Sequence, residues 1–350
     1  MKISVLICSK DKEYVGHLVN YLSVHYSDKL NLSIFSDISQ LTEYIELYSG
    51  DILLLDDDDT FVSKQTIPTA YLSDASEWKG EKARIFKYQK GEVIYKRILD
   101  IYASKADSRY FASVGEQEKQ ALVHVFMPLN GGAGSSTVAR AYAVKKSTGK
   151  KILYLDLELM GNCDCIFKAE GDFCFDEILY ALKSRRGNLR LKLESALKKS
   201  NEGPMFYSPS ENPMSLLELK EDEFAQMLGE MKKSGLFDEI VLDMDGIFSA
   251  WTPMALKEAD EIWLVTDSSD AALEKYGQFM KFADALEKKR EIRFQAKMKL
   301  FYNRYSNRVG REIPDCKLDI AGGSPRYENM SEIEIIKRMA GSDAFEKNCR

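Results

Sequence analysis

Long hydrophobic runs are missing from this chain: no apolar stretch approaches the ~18 residues needed to cross a bilayer. The opening segment MKISVLICSKDKEYVG turns charged after a short apolar stretch, so it reads as a strand and not as a signal peptide. A cytoplasmic protein without direct membrane insertion is the expectation. Paired cysteines are also missing. The six cysteines, Cys8, Cys163, Cys165, Cys174, Cys316 and Cys349, are scattered through 350 residues and need staple nothing in a chain of this length. Histidine is scarce, three in all with none near the CDC stretch, so Cys163, Cys165 and Cys174 read as free thiols, buried ones in the main, and not as a metal site. Positive charge is not in excess. The formal net charge of −6 argues against stable nucleic-acid binding. No internal repeat, low-complexity tract or helix-turn-helix pattern is evident.

What is present is the composition of a soluble globular protein, 45% hydrophobic and 30% charged, with length for two domains. ISVLIC (3–8), LNLSIF (30–35) and DILLL (51–55) are short β-type runs, with helical spacing over 13–26 and 38–48 between them. TAYL and ARIFKY supply two more strands. Such alternation predicts right-handed crossovers and a parallel sheet covered on both faces. From about 103 to 120 the apolar period stops, and the domain boundary is placed there. Strand candidates then recur as ALVHVFM (121–127), KILYLDL (151–157), PMFYS (204–208), EIVLDMD (239–245), EIWLVTD (261–267) and KMKLFYN (297–303). The expectation is α/β with two doubly wound domains: residues 1–103, a linker over 104–120, and a larger domain over 121–350.

The most informative stretch is PLNGGAGSSTVARAYA, residues 128–143. It reads as a glycine-rich turn between a strand and a helix. Gly131, Gly132 and Gly134 let the backbone take positive φ and bring N–H groups close to a ligand, with Ala133 between them. Ser135, Ser136 and Thr137 open the helix, whose first N–H groups and dipole favour phosphate. A connector without a ligand is the plain alternative, and downstream acids weigh against it. Asp156 ends KILYLD and Asp243 ends EIVLD. In a doubly wound sheet ligands sit outside the carboxyl ends of the strands, so both carboxylates should arrive beside the loop. Their natural task is to hold Mg²⁺ together with the Ser136 hydroxyl.

These motifs resemble, in order, those of the deviant Walker A ATPases of the MinD/ParA type, whose loop reads K-G-G-x-G-K-[ST]-T. The likeness spans roughly residues 120–320. Asn130 stands where the family's signature lysine would be, and Ser135 where the phosphate-loop lysine would be. LYLDLEL places Asp156 and Glu158 in the D-x-D positions, and Asp243 is the Walker B acid. LFYNR carries Asn303 and Arg304, and the family uses the asparagine on the adenine ring. The resemblance implies ATP and Mg²⁺ as cofactors, with Glu158 as the candidate water-positioning acid. Both lysines are absent, and loss of one aimed donor commonly costs ~10²–10³-fold in rate. Binding should survive on backbone N–H groups and Mg²⁺, while hydrolysis should be slow or absent. The basic stretch 182–199 reads as a solvated helix face, with Arg185 or Arg186 as the alternative source of the missing charge.

The front domain resembles response-regulator receivers. Asp56 ends the third strand at the phosphoacceptor position, Ser73 takes the hydroxyl position and Lys87 the lysine position. The acidic pair that such a domain needs after its first strand reads Ser9 and Lys10, with Asp11 one place further on and Lys10 able to neutralise Asp56. A degenerate receiver that docks a partner or another copy of itself is the expectation. Its fusion to an ATPase-like domain with a lysine-poor loop resembles the TadZ/CpaE family. That resemblance implies an ATP-dependent homodimer, formed through the nucleotide domain, that positions pilus or secretion assembly proteins, with the cell pole as the implied location. The alternatives are an active ParA/MinD-type ATPase that cycles by hydrolysis, and a response-regulator-like transcription regulator.

Overall fold

The structure is a computed structural model of the chain. It describes all residues except 1, 57–66, 77–82, 106–119, 172, 185–187, 247, 268, 306–311, 315 and 346–350. The chain divides into two compact units: Met1–Val114 with Ser184–Ala196, and Gly115–Lys183 with Leu197–Arg350.

Unit 1 begins β1 (Ile3–Cys8), α1 (Lys12–Tyr26), β2 (Leu30–Phe35), α2 (Ile38–Leu47) and β3 (Ile52–Asp56). It continues with β4 (Thr69–Ser73), β5 (Arg84–Phe86) and α3 (Gly91–Lys105). The helices start where the local chemistry directs. Asp11 accepts the Tyr14 N–H at 3.0 Å, and Asp37 accepts the Gln40 N–H at 2.9 Å. Val15, Leu18 and Leu22 then recur on one face of α1 and are buried. The five strands are all parallel, in the order β2-β1-β3-β4-β5. Residues 52–55 of β3 are fully buried, which a central strand covered on both faces requires.

A segment from much later in the chain completes this unit. Helix α7 (Leu189–Ala196) packs on α3, and Leu191 joins the core cluster that contains Ile98, Leu99 and Tyr102. Lys192, only 8% exposed, turns its ammonium onto the Asp100 carboxylate and the Ser104 hydroxyl. Glu194 accepts the Tyr95 hydroxyl at 3.0 Å and pairs with Lys29. This part of the basic stretch is therefore folded into a core rather than solvated.

Unit 2 contains β6 (Leu122–Pro128), α4 (Ser135–Lys146), β7 (Ile152–Asp156), α5 (Cys163–Ile166) and α6 (Phe175–Ser184). After α7 come β8 (Lys198–Lys199), β9 (Met205–Phe206), α8 (Met214–Leu217), α9 (Glu221–Lys233), β10 (Glu239–Asp243) and α10 (Thr252–Glu258). The unit closes with β11 (Glu261–Thr266), α11 (Asp270–Arg290), β12 (Met298–Tyr305), β13 (Asp319–Pro325) and α12 (Glu332–Ala340). The sheet order is β13-β12-β11-β6-β10-β7-β9-β8, parallel except for β8 against β9. Strand β6 lies between β10 and β11, so the chain that leaves it opens at a switch in strand order, where ligands bind in sheets of this kind. Helix α4 buries Val138, Ala139, Ala141, Tyr142 and Ala143 against the sheet, where Phe126 stacks on Trp263 with centroids 5.2 Å apart. Among the described residues no helix is long and apolar enough to cross a membrane.

Candidate functional site

The site is built where β6, β7 and β10 end. The loop after β6 folds on itself through the Ala133 N–H and the Asn130 carbonyl, 3.2 Å apart. Gly132 and Gly134 have φ of 77° and 80°, a region that side chains rarely adopt. Gly134 caps α4 without any side-chain hydrogen bond to the helix N–H groups, and Gly131 and Gly132 are exposed. The crest of the loop is thus open, at the positive end of a helix dipole.

Two residues from the end of β12 secure the base of the loop. The Asn303 amide, buried, donates to the Ala133 carbonyl at 2.7 Å, and the Arg304 guanidinium donates to the Gly132 carbonyl at 2.8 Å. Asn303 therefore holds the loop backbone in this structure. A Cβ at Gly134 would lie 2.5 Å from its amide nitrogen, so glycine there is required by space as well as by φ. At the signature-lysine position Asn130 is buried and accepts the Thr266 hydroxyl at 3.4 Å. Ser135 is buried, and its hydroxyl has no hydrogen-bond partner. Arg185 and Arg186 lie outside the described residues.

Asp156 and Asp243 are direct register partners on β7 and β10, which brings both carboxylates to one edge. With Glu158 they form a group whose nearest oxygens all lie within 4.8 Å of one another. The Ser136 hydroxyl donates to Glu158 at 2.7 Å, and Thr137 lies one residue further along the same turn of helix, 3.5 Å from Glu332. Asp156 accepts the N–H groups of Asn162 and Cys163, each at 3.1 Å. Asp243 is fully buried. One of its oxygens accepts the Tyr154 hydroxyl at 2.5 Å, and the other, Oδ1, has no partner. Burial, then the charges of Glu158 and Asp156, push the Asp243 carboxyl well above the usual carboxylate range. Burial also raises Asp156 and Glu158, opposed by Arg140 in the first case and by the Ser136 hydrogen bond in the second. Three crowded acids and an orphaned buried oxygen are the chemistry of a divalent-cation site built from hard oxygen ligands. The residues present fit Mg²⁺.

Sequence reasoning missed Arg140 and Tyr154, which lie directly behind these acids. The signal was a lone charged residue in the small, apolar stretch VARAYA and a hydroxyl inside the buried strand ILYLD.

Unit 1 carries a second strand-end aspartate. Asp56 accepts the Ser9 hydroxyl and the Lys10 backbone N–H, each at 2.9 Å, and the Lys87 ammonium lies 3.6 Å away. It is the backbone of Lys10 that reaches Asp56 here. Burial works to lower the Lys87 pKa, but Asp74 and Asp56 outweigh it and hold the amine above its ordinary value. Ser73 is buried at the end of the neighbouring β4. Asp57, Asp58 and Asp59, the rest of the acidic run, lie outside the described residues. Of the cysteines described, Cys8, Cys163, Cys174, Cys165 and Cys316 are all free thiols, the first three buried and Cys165 exposed.

Residues 1–103 match the family model of the TadZ-like receiver domain. No curated protein matches the sequence. Among solved structures, a ParA family ATPase from Chlorobium tepidum is 17% identical, covering 65% of this chain and 96% of that one, with a TM-score of 0.52. A putative plasmid partition protein from Borrelia burgdorferi bound to AMPPNP is 19% identical over 63% of this chain and 97% of that one, with a TM-score of 0.48. A MinC:MinD cell division complex from Aquifex aeolicus contains a chain 20% identical over 63% of this one and 86% of that one, at 0.47. At these identities the likeness is one of fold, and the first structure carries it. The chain joins a TadZ-like receiver domain to a domain of the ParA ATPase fold, and this arrangement fits the TadZ/CpaE family.

Proposed function

We propose that unit 2 binds ATP with Mg²⁺, that the bound state holds a homodimer through this unit, and that the dimer positions pilus or secretion assembly proteins at a cell pole. The observation that supports this reading most is the unpartnered Asp243 oxygen, buried within the cluster of Asp156 and Glu158 at the mouth of an open, uncapped glycine loop. Ser136, Asp156 and Asp243 are the residues that would hold Mg²⁺, which when bound neutralises phosphate charge. Gly131, Gly132, Ala133, Gly134, Ser135, Ser136 and Thr137 would cradle the phosphates through their backbone. Asn303 and Arg304 keep that backbone in place. Glu158 is the acid available to orient a water.

Slow turnover belongs to the same reading. Backbone donors and the metal act on all the phosphates in the ground state, whereas a lysine contributes most where charge develops at the transferred group. Neither Asn130 nor Ser135 can supply that charge. A long-lived ATP-bound dimer is the expected product, one that is held rather than cycled. Unit 1, with Asp56 already engaged by its own neighbours, serves as a docking module in this scheme.

The test is to size the full chain with and without ATP·Mg²⁺ while phosphate release is measured in the same samples. A dimer that appears with ATP·Mg²⁺ and persists with little release is expected. Turnover of ~1 s⁻¹ or faster would give the reading to an active, cycling ATPase. No nucleotide binding at millimolar ATP would end it.

A further inference from the structure

Arg140 is 2% exposed, on the second turn of α4, so its charge is held inside unit 2. A buried guanidinium must find partners for its N–H groups. Its Nε donates to the Tyr154 hydroxyl at 3.0 Å, and its Nη2 to Asn162 at 2.6 Å. The same Nη2 lies 3.8 Å from Asp156 Oδ2, and Nη1 donates to Glu332 at 2.8 Å. Tyr154 passes the contact on, since its hydroxyl donates to Asp243 Oδ2 at 2.5 Å. Asp243 Oδ1 is left without a partner.

The geometry points to Arg140 as the positioning residue of the metal site: one guanidinium, acting directly on Asp156 and through Tyr154 on Asp243, fixes both carboxylates with oxygens turned to a shared divalent cation. Arg140 also brings positive charge to the site, shared between Asp156 and Glu332. This inference rests on the metal half of the proposed function and not on its nucleotide half.

Mn²⁺ is the probe, titrated into the full chain with and without AMPPNP and read by its paramagnetic resonance spectrum and by calorimetry. Loss of an outer partner that orients a metal ligand typically costs 10–100-fold in affinity. Arg140→Gln is expected to lose that much Mn²⁺ affinity and to broaden the bound spectrum, with metal-free AMPPNP affinity unchanged. Arg140→Lys keeps the charge but cannot serve Tyr154 and Asn162 together, so it recovers only part of the loss. Tyr154→Phe breaks the path to Asp243 alone. It should shift affinity in the same direction by less, and it carries the test if Arg140→Gln does not fold. The inference is overturned if Arg140→Gln and Tyr154→Phe both stay within twofold of wild type in Mn²⁺ affinity and spectrum while Asp243→Asn loses binding. It is overturned equally if wild type binds no Mn²⁺ with or without AMPPNP. If wild type binds Mn²⁺ but no AMPPNP and the variants weaken as expected, the role of Arg140 stands and the nucleotide reading falls.

Discussion

Asp56 and Asp243 occupy the same place in two doubly wound units, the last residue of a parallel strand near the middle of the sheet. Their surroundings are opposite. Each Asp56 oxygen is taken, one by the Ser9 hydroxyl and one by the Lys10 N–H, with an ammonium close by. Asp243 keeps one oxygen for nothing in the chain, and its near neighbours are two more acids. The first carboxylate is satisfied from within, so it contributes to the fold and has little left to offer a ligand. The second is frustrated, and an external cation relieves it. Strand-end position in a doubly wound fold marks where a ligand site can form, and the neighbours decide whether one is left open.

The largest effect that sharpens this contrast concerns the loop beside Asp243. Ser135→Lys should raise phosphate release by about 10²–10³-fold, the usual worth of one aimed charge in a transition state. If ATP·Mg²⁺ still binds and release stays flat, the missing lysine is not what limits turnover.

Next in size is the response of stability to ligand. At a hundredfold excess over Kd, ATP·Mg²⁺ should stabilise the wild-type chain by about 2.7 kcal/mol, read as a shift in thermal unfolding. Asp243→Asn should lose that shift, yet melt no lower than wild type without ligand, because it removes a carboxylate that burial already disfavours. An equal ligand response in both proteins would erase the distinction between the two aspartates.

The matching change in unit 1 should run the other way. Asp56→Ala leaves the Ser9 hydroxyl and Lys10 N–H without their acceptor and should cost roughly 1–3 kcal/mol of stability, with ATP·Mg²⁺ binding unaltered. Small phosphodonors should leave the intact mass of the wild-type chain unchanged. Stable modification at Asp56 would show that Ser9 and Lys10 do not close the site.

The smallest effect lies at the other end of the unit 2 sheet. His124 sits 3.4 Å from Glu239 and 3.3 Å from Glu261, and these in turn hold Lys150 and Lys299. Burial pushes the imidazole down, but the two glutamates outweigh it and hold its pKa above the ordinary value. Burial likewise raises Glu239, which His124 and Lys150 bring down to about 2. Glu261 is lowered to about 2, chiefly by His124. The histidine contribution is complete below its unfolded value of ~6.5 and is lost as pH rises through the raised folded value. The glutamate contributions are complete above ~4.3 and are lost as pH falls through about 2. His124→Gln should therefore flatten the alkaline limb of a denaturation profile above pH ~6.5. An unchanged limb would mean that the imidazole is neutral throughout.

Much of this was legible in the sequence. The strands of unit 1 and the chief strands of unit 2 announce themselves as short apolar runs, and the glycine loop, Asp156 and Asp243 fall where strand ends put them. Strand β13 did not announce itself. DIAGGSP carries two glycines, pairs with β12 through register shifts, and has no apolar run to display. Helix α7 is amphipathic and basic, and such a pattern gives the face that is buried without saying which unit buries it. The roles of Arg140 and Tyr154 depend on three elements meeting behind the site, which local spacing does not encode.

Helix α7 also changes how the two units are tied. The chain passes from one unit to the other after residue 114, returns after 183 and leaves again after 196. Three covalent crossings join what a single linker would join once. A protease cut between Lys105 and Gln120 would sever one of them and leave the excursion through α7 intact. The two pieces would then be held together by non-covalent contacts alone, Leu191 and Lys192 seated on α3. A fragment that ends at residue 103 would carry an α3 stripped of those partners.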